Sequence, residues 1–448
     1  MYCSSVLETL LGAGPNEIRF LHGARKAVVD ALIAASVLRG VRARPAALLS
    51  AAPALLRDAR RIAALSELGR AYKYVAFNGS VYLDCFYPKF PGRVFDRLVR
   101  TMLGNLLFTP ERWAPTTFAL VLSITKRCVY RCEHCYAIET LGQRDVLSRE
   151  DLLRIARSFQ RLGVGVIAWE GGEPLMRFED LLALLRATRD ESESIVATTA
   201  YGLTPDKARQ LREAGLVSAI ISLDHYLPDE HNRFRRNKKA FDMATRGVRI
   251  FREAGILPSL CICATRDNVD AGGLYRYLEL ARQLGAAFVQ VLDATPAGSY
   301  LGQDVMLTAA QVEEVRRFHL RVNTDPQYRD YPSVSARALL EDARFGCCAG
   351  NALCYVDSSG NLQACDLLQI SFGNVLEEGV EPVYARMKQC FPHPFSGRCP
   401  AQSLHRDIAE AHARHGKLPI PHAEYAPILD RIRRRGPPPH LRAPRARS

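Results

Sequence analysis

Three cysteines, Cys128, Cys132 and Cys135, lie within eight residues of one another in this chain of 448 residues. They follow an apolar run, residues 117–124, that is typical of a buried β-strand. Three closely spaced thiolates can hold a [4Fe–4S] cube and leave one iron open for another ligand. A zinc ion with His134 as fourth ligand is the alternative, but zinc knuckles favour paired Cys-x₂-Cys units. The spacing therefore favours an iron–sulfur cluster with one open position.

The elements that must position these cysteines are strands and helices in strict alternation. Strands are predicted at 117–124, 165–169, 195–200, 218–223, 257–264 and 287–292, and helices near 149–162, 178–189, 204–214, 238–254 and 271–284. At the first helix Ser148 and Asp151 can form a capping box, and Gly163 can end it. Alternation of this kind predicts a parallel sheet with right-handed crossovers. The expected fold is α/β, a partial (β/α)6 TIM-like barrel with its site at the carboxyl ends of the strands.

The Cys-x₃-Cys-x₂-Cys spacing, followed by the aromatic Tyr136 at the tip of the first barrel strand, resembles the radical S-adenosylmethionine (SAM) superfamily. The resemblance implies that Cys128, Cys132 and Cys135 hold the cluster, that SAM chelates the open iron, and that Tyr136 contacts the cofactor. It implies an enzyme that cleaves SAM reductively and abstracts a hydrogen atom from a carbon centre with the 5′-deoxyadenosyl radical. An electron donor such as flavodoxin or ferredoxin is then expected.

Two segments after the second and third strands extend the resemblance. Glu170-Gly171-Gly172-Glu173-Pro174 looks like the family's Gly-Gly-Glu-Pro, which implies that Gly171, Gly172, Glu173 and Pro174 meet the SAM amino group. Paired glycines also let a ligand approach the main chain without Cβ interference, although a tight turn alone would explain them. Thr198-Thr199-Ala200-Tyr201-Gly202 is similar to the family's Thr-Asn-Gly, with Ala200 or Tyr201 where Asn is usual. Thr199 is carried over as a SAM contact.

Two segments after the fourth strand add polar groups. Ser222-Leu223-Asp224-His225 resembles Ser-Leu-Asp-Gly, with His225 in place of the glycine, and implies that Ser222 and Asp224 contact the cofactor. His231-Asn232-Arg233-Phe234-Arg235 resembles His-Asp-x-x-Arg, and Arg235 would pair with the SAM carboxylate through its bidentate guanidinium. The alternative is that Arg235 belongs to a solvated basic run with Arg236, Lys238 and Lys239.

A second group of cysteines follows the barrel. Cys348, Gly360 and Cys365 match the Cys-x₉₋₁₅-Gly-x₄-Cys start of the family's auxiliary-cluster domains, called SPASM or the shorter twitch, with a hairpin expected at residues 355–365. The resemblance implies one auxiliary [4Fe–4S] cluster ligated by Cys348, Cys365, Cys390 and Cys399. The alternative is that Cys347, Cys354 and Cys390 are ordinary small apolar residues. Cys3, Cys85, Cys261 and Cys263 are assigned to that ordinary class, the last two facing one side of the barrel.

Composition places these units in order along the chain. Residues 1–115 are predicted to be a basic helical N-terminal extension with a hairpin near 72–86 that turns on Asn78-Gly79. The barrel is assigned to residues 116–310, a small cysteine-rich auxiliary-cluster domain to 311–425, and a basic disordered tail to 426–448. The hydrophobic share of 48% is that of an ordinary globular protein.

The net charge of +13 is concentrated at the ends of the chain. Residues 1–115 carry 16 Lys and Arg against 8 Asp and Glu, and residues 431–448 carry seven Arg and no acidic residue. Basic amphipathic helices favour contact with an anionic membrane surface or an acidic partner, whereas a solvated cap on the barrel is the plainer interpretation. A cytoplasmic location is expected, either free or peripheral to the membrane. Nucleic acid is disfavoured because no basic strand is interleaved with aromatic residues.

Three substrate classes are candidates: a lipid, a peptide and a small polar metabolite. Peptide-modifying members often carry an N-terminal module with a three-stranded sheet, and residues 1–115 fit that pattern poorly because they show mostly helix and one late hairpin. Two alternatives are a peptide-maturation enzyme of the same family and an iron–sulfur protein that binds SAM without turnover.

Overall fold

The computed structural model describes residues 14–42, 73–99, 117–336, 347–391, 399–426 and 429. Three sequence-based expectations lie wholly or partly outside these residues: Cys3, the predicted helical extension at 1–13, 43–72 and 100–115, and the arginines of the tail at 431–448. Within the described residues, no helix is both long enough and apolar enough to cross a bilayer.

Fourteen strands occur in the described chain and form three sheets. They are β1 Arg19–Leu21, β2 Tyr74–Phe77, β3 Ser80–Tyr82, β4 Ala119–Ser123, β5 Val166–Glu170, β6 Glu193–Thr198, β7 Leu216–Ser222, β8 Leu257–Ala264, β9 Phe288–Asp293, β10 Ser333–Ala336, β11 Leu353–Val356, β12 Leu362–Gln363, β13 Ile370–Ser371 and β14 Ile420–Pro421.

The helices named in this article are numbered in the same way. They are α1 Gly23–Arg42, α2 Arg149–Arg161, α3 Phe178–Thr188, α4 Pro205–Ala214, α5 Pro228–Arg235, α6 Ala240–Glu253, α7 Arg266–Val269, α8 Gly273–Leu284, α9 Ala309–Thr324, α10 Val380–Cys390, α11 Pro400–Ser403 and α12 His405–His415. The predicted capping box of α2 is present, with the Ser148 hydroxyl accepting from the Asp151 N–H and the Asp151 carboxylate accepting from the Ser148 N–H.

The central sheet has nine strands in the order β10-β9-β8-β7-β6-β5-β4-β11-β12. Strands β4 to β9 are the six predicted parallel strands in chain order, which confirms the partial TIM-like barrel. Two further parallel strands extend it, because β10 pairs with β9 and β11 pairs with β4. The predicted hairpin is β11 and β12, which turns at Gly360 with a φ of 89°. That hairpin therefore continues the barrel sheet.

Alternation along the central strands separates two faces. Residues such as Leu120, Ile167 and Leu260 pack outward against the helices, whereas Val121, Ala168 and Tyr355 face inward. We call the space enclosed by the inward face the lumen. The cysteine loop, residues 124–136, begins at the carboxyl end of β4 and therefore lies at the upper rim of the lumen.

The N-terminal region closes the opposite end of the lumen. Val75, Phe77, Tyr82 and Cys85 pack against the first residues of the barrel strands, and we call this group the floor cluster. It includes Ala119, Val166, Ile195, Ile220, Leu257, Ala287 and Phe288 from the central sheet. The described part of the N-terminal extension therefore covers the end of the barrel opposite the cysteine loop.

The expectation of helices with a single hairpin in the N-terminal extension is wrong in one respect. The predicted hairpin is present as β2 and β3, with Asn78 and Gly79 at φ values of 46° and 73°. Strand β1 pairs antiparallel with β2, in register from Arg19 opposite Ala76, and completes a three-stranded sheet. A three-residue strand whose partner lies far along the chain leaves too short a periodic pattern to be seen in the sequence.

Candidate functional site

The three cysteines of the cysteine loop lie in one small cluster at the upper rim of the lumen. Cys132 is buried, and Cys128 and Cys135 pack beside it with Tyr130 and Tyr201. The Tyr130 N–H donates to the Cys128 sulfur at 3.4 Å. Burial raises the pKa of the Cys128 thiol to about 12 and that of Cys135 to about 11. Thiolates at these positions therefore depend on the positive charge of a bound metal.

The donor set fits an iron–sulfur cube better than a single ion. In the described part of the chain, no three Cys, His, Asp or Glu side chains are grouped so that they could hold one metal ion. His134, the fourth ligand of the zinc alternative, stacks on Phe234 with ring centroids 4.7 Å apart. Its Nδ1 atom is buried without a hydrogen-bond partner, and burial lowers its pKa to about 4. The zinc alternative has no support in the described residues, because His134 is stacked on Phe234 and no three such side chains are grouped around one ion.

The Gly-Gly-Glu-Pro segment is bonded directly to the cysteine loop. The Gly172 N–H donates to the Thr125 carbonyl and the Glu173 N–H donates to the Arg127 carbonyl, both at 2.7 Å. A Cβ at Gly171 would lie 2.6 Å from the Thr125 carbonyl oxygen, and one at Gly172 would lie 2.2 Å from that of Arg127. The lack of a side chain at both glycines therefore allows the backbone of the cysteine loop to pack against them. The sequence pattern did not reveal this explanation for the paired glycines.

Gly172→Ala is expected to displace the cysteine loop, because its methyl group would overlap the Arg127 carbonyl and lie 3.0 Å from the Cys128 Cβ. Forcing a methyl group into such a contact typically costs about 1–3 kcal/mol. We expect lower iron content after anaerobic reconstitution and a lower thermal unfolding midpoint. Gly14→Ala is the matched control, since its Cβ would make only an ordinary 3.6 Å contact with Glu17. Equal iron content in both variants would contradict this role of Gly172.

Glu173 is fully buried and joins the ends of two strands. Its carboxylate accepts from the hydroxyls of Thr198 at 2.6 Å and Thr199 at 2.5 Å, and from the N–H groups of Thr199 and Leu175 at 2.7 and 3.0 Å. Burial raises the pKa of Glu173 in spite of these donors. Pro174 follows it as the first residue of a 3₁₀ turn, Pro174–Arg177. The side chains of Glu173 and Thr199 are thus already partnered, and they position the strand ends around the site.

Ala200 is one of the two residues, with Tyr201, that could stand where the family motif usually has Asn. Its φ is 60°, in the left-handed region that Asn tolerates better than other residues with a Cβ. A Cβ added at Gly247 would lie only 2.4 Å from the Ala200 Cβ, so Ala200 packs where a side chain at position 247 would lie. Ala200 therefore adopts a backbone conformation that is uncommon for a residue with a Cβ, and it packs closely against Gly247.

Asp224 and Arg235 form a buried ion pair at the end of β7. The Arg235 Nε donates to the Asp224 carboxylate at 2.5 Å, and its Nη1 donates to the Cys132 sulfur at 3.6 Å. Burial acts to raise the pKa of Asp224, but Arg235 and the neighbouring His134 and His231 hold it below its usual value. The interpretation of Arg235 as part of a solvated run is wrong, because the side chain is buried while Arg236 is exposed.

The remaining polar groups around Asp224 orient it. Its second carboxylate oxygen accepts from the Cys263 N–H at 3.0 Å, and its own N–H donates to His231 Nδ1 at 3.0 Å. Asn268 donates to the Asp224 carbonyl at 3.2 Å. Beside this network lies a cavity of about 240 Å³ that Asp224 lines together with Phe234 and Asn268. The network therefore borders a space for a small ligand.

Ser222 and Tyr136 reach the lumen from different elements. Ser222 ends β7 and is half-buried. The Tyr136 hydroxyl donates to the Glu170 carboxylate at 2.9 Å, and its carbonyl accepts from the Gln369 side chain at 2.9 Å. Tyr136 therefore links the cysteine loop to β5 and to the C-terminal region.

The second group of cysteines is brought together in part. Burial, followed by Asp366 and Cys399, raises the pKa of the Cys365 thiol well above its ordinary range, which places Cys399 near Cys365. The Gly350 N–H donates to the Ala364 carbonyl at 2.9 Å, so the segment with Cys348 lies beside the one with Cys365. The segment that carries Cys390 is joined to the same region by a 3.2 Å hydrogen bond from Asn351 to the Phe391 carbonyl.

Four polar residues near the lumen had no role in the sequence-based assignment. They are Glu170, Tyr355, Gln363 and Asp366. Glu170 stands one position before the paired glycines, and Asp366 directly follows Cys365, so proximity to a motif was the only available signal.

Comparisons with known proteins agree with this geometry. A family model described as "Radical SAM superfamily" matches residues 122–266. The chain is 28% identical over 341 residues to the AdoMet-dependent heme synthase of Oleidesulfovibrio alaskensis, covering 69% of this chain and 86% of that relative. It is 30% identical over 237 residues to the GTP 3′,8-cyclase of Acidothermus cellulolyticus, covering 50% of this chain and 64% of that relative. Streptococcus suis SuiB bound to its precursor peptide SuiA superimposes with a TM-score of 0.51 at 16% identity, over 64% of this chain and 70% of SuiB, a likeness of fold.

Proposed function

Because this chain is an enzyme of the radical SAM superfamily, which uses a [4Fe–4S] cluster and SAM, we propose that Cys128, Cys132 and Cys135 bind the cluster at the rim of the lumen. The observation that carries this proposal is the convergence of three thiols from one loop with a buried arginine beside one of them. When bound, the cluster and SAM supply a 5′-deoxyadenosyl radical that removes a hydrogen atom from a carbon centre of the substrate.

The Gly-Gly-Glu-Pro segment is proposed to bind the SAM amino group through carbonyl oxygens. The N–H groups of Gly172 and Glu173 are already bonded to the cysteine loop, and an ammonium group needs acceptors. The side chains of Glu173 and Thr199 hold these carbonyls in place and need not touch SAM themselves.

Arg235 is proposed to bind the SAM carboxylate while Asp224 fixes its orientation. The ion pair uses Nε, and Nη1 donates to the Cys132 sulfur, so the guanidinium would be beside a cluster held by Cys132 and could pair with a carboxylate bound there. Its charge also offsets the negative charge of the thiolates. Ser222 and Tyr136 are proposed to contact the same cofactor from the lumen side.

An auxiliary [4Fe–4S] cluster on Cys348, Cys365, Cys390 and Cys399 is a further part of the proposal. Its support is the nearness of Cys399 to Cys365, together with the hydrogen bonds that join the segments of Cys348 and Cys390 to the same region. Cys354 by contrast lies on the outward face of β11 in the apolar core, as expected for an ordinary cysteine. The domain limits near 115, 310 and 425 stay proposals as well.

The substrate class and the reductant are proposals. A lipid, a peptide and a small polar metabolite were the candidates, and the relatives named above act in heme synthesis and GTP cyclisation by their names. The three-stranded N-terminal sheet removes the reason for which the sequence disfavoured a peptide, and one face of this sheet packs into the floor cluster. A reducing partner such as flavodoxin or ferredoxin would supply the electron.

The experiment for the proposed function is an assay of 5′-deoxyadenosine. Anaerobically reconstituted protein, reduced with dithionite and supplied with SAM, should form 5′-deoxyadenosine and methionine in equal amounts. SAM binding without any 5′-deoxyadenosine under these conditions would instead favour a binding protein without turnover.

Peripheral membrane association is tested separately with vesicles. If the basic ends contact lipid, the protein should sediment with vesicles that contain anionic lipid, and salt should weaken this binding, because exposed charges are screened over ~8 Å at physiological ionic strength. Removal of residues 431–448, which carry seven arginines, should reduce the bound fraction partially. Failure to bind anionic vesicles at low salt would exclude the membrane proposal, and equal binding to neutral vesicles would exclude its electrostatic basis.

A further inference from the structure

The outer side of the cysteine loop carries exposed cations that the proposed SAM contacts do not use. Val129, directly after Cys128, keeps 38% of its surface exposed. Basic side chains flank it on the loop, and others lie on the segment that leads into α6. We call these exposed basic side chains the cationic surface: Arg127, Arg131, Arg236, Lys238 and Lys239.

Contacts between the cysteine loop and α6 hold the two parts of the cationic surface together. Ala240, the first residue of α6, packs with Tyr130 and Cys132 of the loop. The Tyr130 hydroxyl donates to the Met243 sulfur at 3.3 Å. The cysteine loop and the start of α6 are therefore neighbours, although they lie far apart along the chain.

The cationic surface lies next to the proposed cluster ligands. Arg131 stands between Cys128 and Cys132, and its Nη1 donates to the Cys128 carbonyl at 3.2 Å. Arg236 directly follows Arg235, whose Nη1 donates to the Cys132 sulfur at 3.6 Å. A protein that covered this surface would therefore come close to the cluster without entering the lumen.

The two ends of the cysteine loop face different sides of the barrel. Tyr136, at the end of the loop, packs with inward-facing residues of β4 and β11. Tyr130 instead packs against the start of α6, whose buried side chains belong to the core between the helices and the outer face of the sheet. A substrate in the lumen and a partner on the cationic surface can therefore approach the cluster from different sides.

The local structure does not explain why these cations are present. Lys238 and Lys239 directly precede α6, where the positive end of the helix dipole disfavours a cation. Arg236 has a φ of 50°, in the left-handed region that residues with a Cβ seldom adopt. None of the three forms an ion pair with another described residue. Charges that oppose the local preferences of the fold indicate a role outside it.

Acidic residues near the cationic surface do not cancel its charge. Asp145 pairs with Arg127 at 3.1 Å, and Asp242 lies in the first turn of α6. Glu133 pairs with Arg233, which is not part of the surface, at 3.4 Å. Five cations against Asp145 and Asp242 leave this part of the described chain with an excess of positive charge.

Resting on the proposed radical SAM reaction, we propose that the cationic surface is the docking site of an acidic one-electron carrier protein. The reduced carrier loses one electron and is thereby oxidised, and the cluster on the cysteine loop, when bound, is reduced from [4Fe–4S]²⁺ to [4Fe–4S]⁺ without transfer of an atom or a proton. Opposite charges speed the encounter and orient the carrier, and Val129 offers a small apolar centre. Electron-transfer complexes are typically small and short-lived, so a surface of this size suffices.

An anionic membrane or a nucleic acid is also attracted by cations. The position of the cationic surface favours the electron carrier over both, because electron transfer requires a short distance to the cluster and binding to lipid or to phosphate does not. The three cations nearest α6 gain nothing from the fold in that position, whereas a carrier docked there lies beside Arg235 and Cys132.

The test uses oxidised plant-type ferredoxin as an acidic carrier and cytochrome c as a basic one. Each is titrated into the anaerobically reconstituted full chain with SAM and without reductant, and the dissociation constant is measured by calorimetry. We expect ferredoxin to bind about tenfold or more tightly than cytochrome c at low salt. A rise in salt from about 50 to about 300 mM should weaken ferredoxin binding, because exposed charges are screened. Absence of ferredoxin binding, or equal binding of both carriers, would overturn the proposal.

Variants locate the docking site. Lys238→Glu with Lys239→Glu reverses two charges where an acidic side chain suits the helix dipole, so the fold is retained. The dissociation constant of ferredoxin should rise about tenfold, because each exposed charge pair contributes modestly. The control, Arg157→Glu with Arg186→Glu, changes the net charge equally at exposed positions of α2 and α3 and should leave binding unchanged. An equal loss in the control, or no loss in the lysine variant, would overturn the proposal.

A neutral variant keeps the test independent of folding defects. Lys238→Gln with Lys239→Gln removes both charges without reversing them and should weaken ferredoxin binding by a smaller factor than the reversed pair. Circular dichroism and iron content show that each variant is folded and loaded. Weaker binding to anionic vesicles with unchanged ferredoxin binding would assign the surface to a membrane and overturn the proposal.

Electron delivery is measured on the same variants. With reduced ferredoxin as the reductant, Lys238→Glu with Lys239→Glu should form 5′-deoxyadenosine about tenfold more slowly than the wild-type protein. With dithionite, a small reductant that needs no docking site, both should react at the same rate. An equal fall with both reductants would show that the lysines act on the cluster and would overturn the proposal. Absence of 5′-deoxyadenosine from the wild-type protein with dithionite would refute the proposed function, whereas ferredoxin binding is measured without reductant and is judged separately.

Discussion

Replacing Cys128, Cys132 and Cys135 together by Ala is expected to abolish the formation of 5′-deoxyadenosine from SAM. The three thiols come from one loop and pack in one small cluster, so their joint replacement removes every ligand proposed for this cube. The wild-type protein should bind about eight irons per chain after reconstitution, since each of two cubes holds four, and the triple variant should retain about four. Iron content and 5′-deoxyadenosine are measured on the same samples.

The matched control is Cys354→Ala, because Cys354 is fully buried in the apolar core and is a ligand of neither proposed cluster. It should keep about eight irons and its SAM cleavage, even if its thermal stability falls. A wild-type value near four, with none left in the triple variant, would remove the auxiliary cluster. Persistent SAM cleavage in the triple variant would remove the cysteine loop from the reaction.

Arg235→Ala should lower both the free energy of unfolding and the affinity for SAM. Both decreases should be larger than those caused by replacing an exposed arginine with Ala. The change leaves Asp224 buried without its cation, and the loss of one partner from a buried pair typically costs about 3–5 kcal/mol. If Arg235 also pairs with the SAM carboxylate, the dissociation constant of SAM should rise roughly tenfold to a hundredfold, as one lost charge-assisted hydrogen bond of about 1.5–3 kcal/mol implies.

A double variant separates these two effects. In Asp224→Asn with Arg235→Met both charges are removed, and the stability should recover in part because no unpaired buried charge remains. SAM affinity should stay low, since the carboxylate has lost its partner. Arg236→Ala is the control, because Arg236 is exposed and adjacent in sequence. Recovery of SAM affinity in the double variant would show that Arg235 acts on the fold alone.

The features that were predictable from the sequence are local or periodic. The six strands, the capping box at Ser148 and the hairpin turn at Asn78-Gly79 each depend on residues close together along the chain. The cysteine spacing depends on eight consecutive residues, and its place after an apolar strand already indicated the rim of a barrel. Patterns of this kind can be recognised in the sequence because the residues that form them are close together along the chain.

The features decided by tertiary structure join residues that are far apart along the chain. Strand β1 forms only because β2 offers it an edge. The hairpin of β11 and β12 joins the central sheet only because β11 pairs with β4. The Gln369 side chain reaches the carbonyl of Tyr136 across 233 positions of sequence. No propensity or periodicity encodes such pairings, because their free energy arises from contact between separate segments.

The same distinction applies within the candidate site. Residue types and their spacing were enough to indicate which residues could bind a cluster and SAM: three cysteines, the Gly-Gly-Glu-Pro segment and an arginine that follows the fourth strand. The burial of Arg235 against Asp224 and Cys132, and the close approach of the cysteine loop to the paired glycines, became visible in the folded chain. Burial depends on neighbours from the whole chain, and it sets both the strength of a charge and the cost of an added methyl group.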